Sequence, residues 1–398
     1  VRVPCGRLPQ VNALTWTSWL SLAAWLWLLL AHGGFWRTDV RLPPPDPAGD
    51  GARAGADGEP WPPVAIVVPA RDEAAVLPLT LPSLLAQRYR GPAEVVLVDD
   101  GSSDRTGDLA RTLAASVPGA LPLTVCSPGP PPPGWTGKLW AVRHGVAVAR
   151  SRGAATYLLL TDADIAHPPD SLHALVRAAR DGGLDLVSLM ARLRVATGWE
   201  RLVVPAFVYF FAQLYPFSRV NRPGGRTAAA AGGCMLLRAD AADRAGLPGS
   251  VRGALIDDVA VGRAVKRGGG RVWLGLAEEV ASVRPYEGLA PLWAMVARSA
   301  YAQLRHSRSL LALTVAGLLL VYVAPPATAL AGHAAGWAAW ALMTLSYLPT
   351  VRYHRVPWWV VLTLPAVAVL YLLMTVDSAV RHHRGAGAAW KGRTYAGT

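Results

Sequence analysis

With 398 residues the chain can hold one large domain or two ordinary ones, and a hydrophobic content of 52% with a mean hydropathy of +0.28 is high for a wholly soluble protein, so a membrane component is expected. The net charge of +13 is carried almost wholly by Arg, much of it flanking apolar segments, which favours a membrane with anionic lipid over nucleic acid as the partner. Three cysteines, Cys5, Cys126 and Cys234, have no metal-ligand spacing, so neither a disulfide framework nor a zinc site is supported; the excess of Arg over Lys, with abundant Ala and Gly, is the composition of a GC-rich bacterial genome.

The first predicted element, LTWTSWLSLAAWLWLLLA (Leu14–Ala31), is long and apolar enough to span a bilayer. Its many Trp residues and the lack of a small-residue cleavage site favour a retained anchor over a cleaved signal peptide. Pro43–Pro63, rich in Pro, Gly, Ala and Asp, reads as a flexible tether. From about Trp61 to Arg308 charges and Gly/Pro punctuation return and strand and helix patterns alternate, which marks a water-facing domain.

In that domain VAIVVPA (Val64–Ala70) predicts a strand and Asp72 to about Arg88 a helix. EVVLVDDGSSDRT (Glu94–Thr106) repeats the scheme, with a strand ending in Asp99-Asp100, a Gly-Ser turn, and Asp104 capping a helix to about Ala115. Leu121–Cys126 predicts a third strand, Leu139–Arg150 a helix, and Tyr157–Thr161 a fourth strand that ends in Asp162 and Asp164, one residue apart. Alternation of this kind predicts an α/β domain with a mainly parallel, Rossmann-like sheet covered by helices, whose ligands sit beyond the C-terminal strand ends. Arg71-Asp72-Glu73, Asp99-Asp100 and Asp162 with Asp164 all fall on that rim. For the last pair two readings stand: a solvated turn with Asp164 or His167 starting a helix pre-organised by Pro168 and Pro169, or a clamp for a cation. Neither Gly-x-Gly-x-x-Gly nor a Gly-x-x-x-x-Gly-Lys-Ser/Thr loop occurs at a strand end. A divalent cation, magnesium or manganese, bridging the two acids to a diphosphate would hold phosphate instead.

Trp199–Phe217, aromatic and apolar with few charges, is read as an interfacial helix over 199–217 that holds the site at the bilayer, although a core helix has the same composition. Ser309–Leu348 is apolar for long enough to make two further spans, broken at Pro325-Pro326, and Trp358–Val376 makes another, so four spans are expected with three as the fallback. The boundaries that follow are an anchor over 1–36, a linker over 37–61, the domain over 62–308, membrane helices over 309–377 and a basic tail over 378–398. Arg37 and Arg41 after the first span, and Arg298, Arg305 and Arg308 before the second, put the domain in the cytoplasm by the positive-inside rule. Arg2 and Arg7 oppose this weakly, and the basic tail prefers the cytoplasm, which four spans do not allow.

Taken in order, VAIVVPARDEA, VLVDDGSSDRT, LLLTDADIAHPP, GGCMLLRADA and LIDDVAVGRAVKRGG resemble the family 2 inverting glycosyltransferases with a GT-A fold, over about Val64–Tyr301. The flanking anchors, the PPGWTGK segment (Pro132–Lys138) and the closing AWKGRTY (Ala389–Tyr395) are most similar to the membrane-bound, hopene-associated glycosyltransferases of hopanoid-producing bacteria. The resemblance implies that Pro69, Ala70, Arg71 and Glu73 line the nucleotide base pocket, that Asp100 contacts the uridine, and that Asp162 and Asp164 serve diphosphate and metal. Asp99 is as well explained by a strand-end turn as by a ligand role. Lys138 opens a helix where a cation and N-terminal amides meet phosphate, and Gly232-Gly233-Cys234 resembles the small-residue turn bordering sugar and acceptor, with Cys234 packed rather than reactive. Asp258 fits the family's base, which takes the acceptor proton on the face opposite the departing diphosphate, and Asp257 orients it or binds acceptor. A helix N-terminus accounts for the same two acids and is compatible with that role.

The Gln/Arg-x-x-Arg-Trp motif of polysaccharide-elongating relatives is absent; Arg298-Ser299-Ala300-Tyr301 stands in its place, leaving Arg298 as a candidate diphosphate contact. The resulting expectation is a multi-pass enzyme of the bacterial inner membrane moving a sugar from a nucleotide-diphosphate donor, a UDP-sugar, to a lipid hydroxyl on a hopanoid, related terpenoid or sphingolipid-like acceptor, with Mg2+ or Mn2+. The alternatives are a polysaccharide synthase and a non-enzymatic nucleotide-binding membrane scaffold.

Overall fold

The computed structural model describes residues 13–43 and 60–385 and the backbone of 389–390 and 393–394. Cys5, Arg2, Arg7, residues 44–59 of the tether, and Lys391, Gly392 and Tyr395 of the closing segment lie outside the described residues. The chain divides into two compact units: 13–37, Thr197–Leu214 and Gly288–Arg381 in one, and 38–43, 60–196, Tyr215–Glu287 and the described residues from His382 on in the other. Residues 199–214 and 288–308, read above with the water-facing domain, therefore cluster with the apolar helices.

The second unit is built on an eight-stranded sheet of β1 (Val64–Ala70), β2 (Ala93–Asp99), β3 (Leu123–Cys126), β4 (Tyr157–Thr161), β5 (Ile165–Ala166), β6 (Leu186–Arg192), β7 (Cys234–Arg238) and β8 (Val272–Ser282). All seven residues of β1 and all five of β4 are buried, as β-branched and Leu-rich runs must be when helices cover both faces. The spatial order is β3-β2-β1-β4-β7-β6-β8-β5. The half from β3 to β4 is parallel throughout, as the βα repeats predict. The other half is mixed: β7 runs antiparallel between β4 and β6, β8 is parallel to β6, and β5 is antiparallel to β8.

That reversal positions the site. Because β7 is antiparallel to β4, pairing Thr161 with Cys234, its N-terminal end and the preceding Gly232-Gly233 arrive at the same rim as the C-terminal end of β4. β8, parallel to β6, delivers Ser282 and the residues after it to that rim through its pairing with Ile165. A hydrophobic core that includes Ile66, Leu81, Leu85, Leu159, Leu172 and Leu236 fixes one face of the sheet.

The predicted helices form with shifted ends: Leu77–Leu85, Thr106–Ser116, Gly137–Arg152 and Asp257–Arg267. β3 starts at Leu123 rather than Leu121. The helix after β5 begins at Ser171, with Asp170 at its cap position and Ser171 N–H donating to Pro168 O, so neither Asp164 nor His167 starts it. His167 is instead buried, bonded to Thr161 and Ser171, and burial lowers its pKa to about 4.

The Asp257–Arg267 helix lies so close to the run before Gly232 that a Cβ on Gly262 would meet the carbonyl carbon of Ala229 at 2.7 Å and its oxygen at 2.9 Å. Backbone cannot yield as a flexible side chain can. Gly262→Ala gains about 1 kcal/mol of helix propensity but overpacks by about 1–3 kcal/mol. The net is a lower melting temperature for the detergent-solubilised protein; an unchanged or higher one would refute this packing.

In the other unit, Ala13–Ala31, Arg308–Leu330 and Trp358–His383 are long and apolar enough to cross a membrane, and large apolar side chains such as Trp16, Trp19, Leu313 and Trp358 point outward. The 20-residue Ala334–Tyr353 helix is not among them, which leaves three candidate spans among the described residues. Pro325-Pro326 does not break the second span. Leu319–Val323 forms a π turn just before the prolines, and the Val321 carbonyl, which Pro325 cannot satisfy, accepts from Trp25 Nε1 at 2.7 Å. The chain turns instead at Gly332, whose φ of 91° suits glycine. The predicted interfacial helix runs over Gly198–Leu214 and packs within this unit: Tyr209 is bonded to Ser346 (2.6 Å), and Val203 O accepts from Tyr371 (3.1 Å).

Candidate active site

β4 ends at Thr161, so Asp162 and Asp164 project from a tight turn in which Ile165 N–H donates to Asp162 O, not from the strand itself. Thr161 Oγ1 donates to Gly233 O (2.7 Å) and ties that turn to the start of β7. Thr136 caps the Gly137–Arg152 helix by accepting from Leu139 N–H, which puts Lys138 in its first turn. Lys138 Nζ sits between two carboxylates, 2.8 Å from Asp162 Oδ1 and 3.0 Å from Asp257 Oδ2. Burial opposes its charge, but Asp162 and Asp257 prevail and hold the ammonium above the ordinary lysine range. Burial raises the Asp162 pKa, Lys138 works against that, and the neighbouring Asp164 and Asp257 add to it. Pro69, Lys138, Asp162, Gly232 and Asp257 border a small cavity that is otherwise lined mainly by apolar side chains such as Leu139, Val142, Met235 and Val261.

Asp257 and Asp258 open the Asp257–Arg267 helix, where free N–H groups and the dipole favour acids. Asp258 Oδ2 accepts Gly232 N–H at 3.0 Å and Oδ1 accepts Val259 N–H at 2.7 Å, so both oxygens are fixed. Burial, with repulsion from Asp257, pushes its pKa up to about 6, although Lys138 and the two N–H donors pull the other way. A carboxylate held in place and shifted toward neutral pH can accept a proton. Cys234 is buried and burial raises its thiol to about 12, which fits a packed residue.

At the ends of β1 and β2 the two loops interlock. Asp72, at φ 50°, takes N–H and hydroxyl bonds from Ser103 on Oδ1 and donates its own N–H to Ser102; Glu73 N–H donates to Thr106 and Ala74 N–H to Asp104. Arg71 Nη1 donates to the Asp100 carbonyl, and Ala70 O accepts Asp100 N–H. The Asp100 carboxylate is buried facing Arg71. Asp99 takes the turn role, its Oδ1 accepting Ser102 N–H (2.9 Å), and it borders a separate cleft with Arg105 and Ser127. Arg298 ends the Leu289–Ala297 helix in the other unit.

One residue of the site was not anticipated. Arg284, two residues past β8, donates through Nη2 to both carboxylate oxygens of Glu73 (2.8 and 2.9 Å) and through Nε to Asp164 Oδ2 (2.8 Å). Ser282 Oγ also donates to Asp164 Oδ2 (3.1 Å). The available signal was a lone arginine directly after a strand that ends at the acidic rim.

The donor set fits a hard divalent cation. Asp162 and Asp164 share one turn, and the contacts above engage one oxygen of each, Oδ1 of Asp162 and Oδ2 of Asp164. Among the described residues no group of three His, Cys, Asp or Glu converges as a metal cage, so a cation held by these two acids would need further ligands from outside the protein, such as diphosphate or water.

Residues 65–246 match the family described as Glycosyl transferase family 2. The chain is similar to an undecaprenyl-phosphate 4-deoxy-4-formamido-L-arabinose transferase of Serratia proteamaculans, 29% identical over 31% of this chain and 36% of the relative. It is also similar to a 4,4'-diaponeurosporenoate glycosyltransferase of Staphylococcus haemolyticus, 28% identical over 44% of each. The matches thus span between about a third and a half of those relatives' lengths. A mannosyltransferase from Pyrobaculum calidifontis, solved with GDP-Man and Mn2+, superposes with a TM-score of 0.51 at 19% identity over 89% of this chain and 99% of its own, which supports the GT-A fold.

Proposed function

We propose that the protein is a membrane-bound inverting glycosyltransferase that moves a sugar from a nucleotide-diphosphate donor, a UDP-sugar, to a lipid hydroxyl. The carrying observation is Asp258: both its oxygens are fixed by backbone N–H groups beside Lys138 and the Asp162 turn, and its proton affinity is raised. An alcohol must lose a proton to attack the anomeric carbon, whereas an acceptor phosphate is already anionic and gains little from a base. Asp258 would take that proton, Asp257 and Gly232 would hold the base in place, and Lys138 would meet the diphosphate. Arg71, Glu73 and Asp100, with Pro69 and Ala70, would form the nucleoside side of the site. A magnesium or manganese ion held by Asp162 and Asp164 would neutralise the diphosphate as it leaves.

The hopanoid class is the first acceptor to test, because PPGWTGK and AWKGRTY carry that resemblance. Related terpenoids and sphingolipid-like alcohols come next. A polyprenyl-phosphate acceptor is the second reading, favoured by the names of the undecaprenyl-phosphate transferases the chain matches. Purified protein in detergent, given a UDP-sugar, should release nucleoside diphosphate only with divalent metal and a hydroxylated lipid. Turnover with polyprenyl phosphate alone would select the second reading, turnover without metal would overturn the clamp, and a long polymer would mean a synthase.

The base has a pH signature. Asp258 must be ionised to accept a proton, so transfer should rise with pH through an apparent midpoint near 6, a value belonging to the Asp257–Asp258 pair, and level off above it. A rate that fell over that range would assign a proton donor instead.

We place the sheet unit in the cytoplasm on the Arg37, Arg41, Arg298, Arg305 and Arg308 flanks. Two spanning helices between that unit and the basic tail would return the tail to the same side.

A further inference from the structure

We propose that Arg284 is a positioning residue whose guanidinium locks the Asp164 turn to the Glu73 loop, so that the metal ligand is presented in a single orientation and the nucleoside and diphosphate halves of the donor site act as one body. The inference rests on the reading of Asp162 and Asp164 as the metal and diphosphate site.

Arg284 makes three charge-assisted bonds to two carboxylates, the buried Glu73 and the part-buried Asp164, with side-chain exposures of 28% for Arg284, 8% for Glu73 and 13% for Asp164. The backbone repeats the connection, since Val283 N–H donates to Asp164 O at 2.9 Å and β5 pairs with the end of β8. On the other side, Glu73 belongs to the loop that interlocks with 102–106 beyond β2. With Arg284 Nε and Ser282 Oγ both on Oδ2, Asp164 can offer only Oδ1 to a cation. Partners that orient a ligating carboxylate commonly contribute about 10- to 100-fold in metal affinity.

A guanidinium can reach both acids because its donors are spread over a planar fork; an ammonium at the end of a lysine is a point charge and cannot. Charge balance alone and positioning therefore predict opposite results. If Arg284 only offset negative charge, its loss would leave a more negative site that binds a divalent cation more tightly, and lysine would replace it. If it orients Asp164, both arginine replacements loosen the site.

The test uses the full-length protein in detergent. Mn2+, alone and with UDP present, is titrated into wild type, Arg284→Gln and Arg284→Lys while free Mn2+ is followed by electron paramagnetic resonance; ligand-free melting is recorded in parallel, and KM and kcat for the UDP-sugar are measured at saturating Mn2+. Both variants should bind Mn2+ about 10-fold more weakly or worse and raise the donor KM, with kcat at saturation within about threefold of wild type. Arg284→Lys decides the matter if Arg284→Gln does not fold. Wild-type Mn2+ affinity in Arg284→Lys, or tighter binding in Arg284→Gln, overturns the proposal and leaves the functional reading standing. Failure of the wild type to bind Mn2+ even with UDP present overturns the metal reading and, with it, this inference.

Discussion

Asp258→Asn should retain metal and donor binding while transfer falls by about 10²-fold or more, the usual contribution of a positioned acid or base. Asparagine keeps the size of the side chain, and its carbonyl oxygen can still accept the Gly232 N–H that now bonds Oδ2. What it loses is the charge that accepts a proton. The effect belongs in kcat, read from initial rates, with donor affinity from a parallel titration unchanged. A variant that transferred sugar at near wild-type rate would move the base to Asp257, whose Oδ2 is held by Lys138 at 3.0 Å.

Asp162→Ala should behave differently, removing metal-dependent donor binding and transfer together. A cation at a transferring group supplies several kcal/mol, so the expected loss in rate is about 10²- to 10³-fold. Lys138 would keep one carboxylate partner, Asp257, and would shift its charge toward the base. Calorimetric titration of donor with and without Mn2+ separates this variant from Asp258→Asn. Full metal-dependent binding after the change would remove Asp162 from the clamp.

The sequence made half of the sheet legible and hid the other half for a physical reason. β1 to β4 announce themselves because each is a short apolar run followed by a helix, and local pattern carries that topology. β7 reads no differently from a parallel strand: CMLLR is apolar whichever way it pairs, and only long-range pairing with β4 and β6 makes it antiparallel. The same limit applies to side chains. The acids of the rim were visible as strand-end residues, but the position of Lys138 between Asp162 and Asp257 needs three distant segments to converge, and Arg284 had no motif at all. In the apolar helices, Pro325-Pro326 looked like a break because proline removes a donor and crowds the preceding turn; the π turn and Trp25 supply what the local sequence lacks.

The reversed β7 also bears on how the chain assembles as it is synthesised. Residues from β1 through β4 can pair among themselves as soon as they emerge, since every ladder joining β3, β2, β1 and β4 lies within that stretch. β6 cannot join them, because its place is on the far side of a strand not yet made. Until Arg238 has left the ribosome, the YLLLT edge of β4 therefore stands unpaired, an apolar strand edge of the kind that recruits other chains. The Gly198–Leu214 helix is made during this interval. Aggregation of truncated or stalled chains should accordingly be worst for those ending between β4 and β7 and should subside once β7 closes the edge.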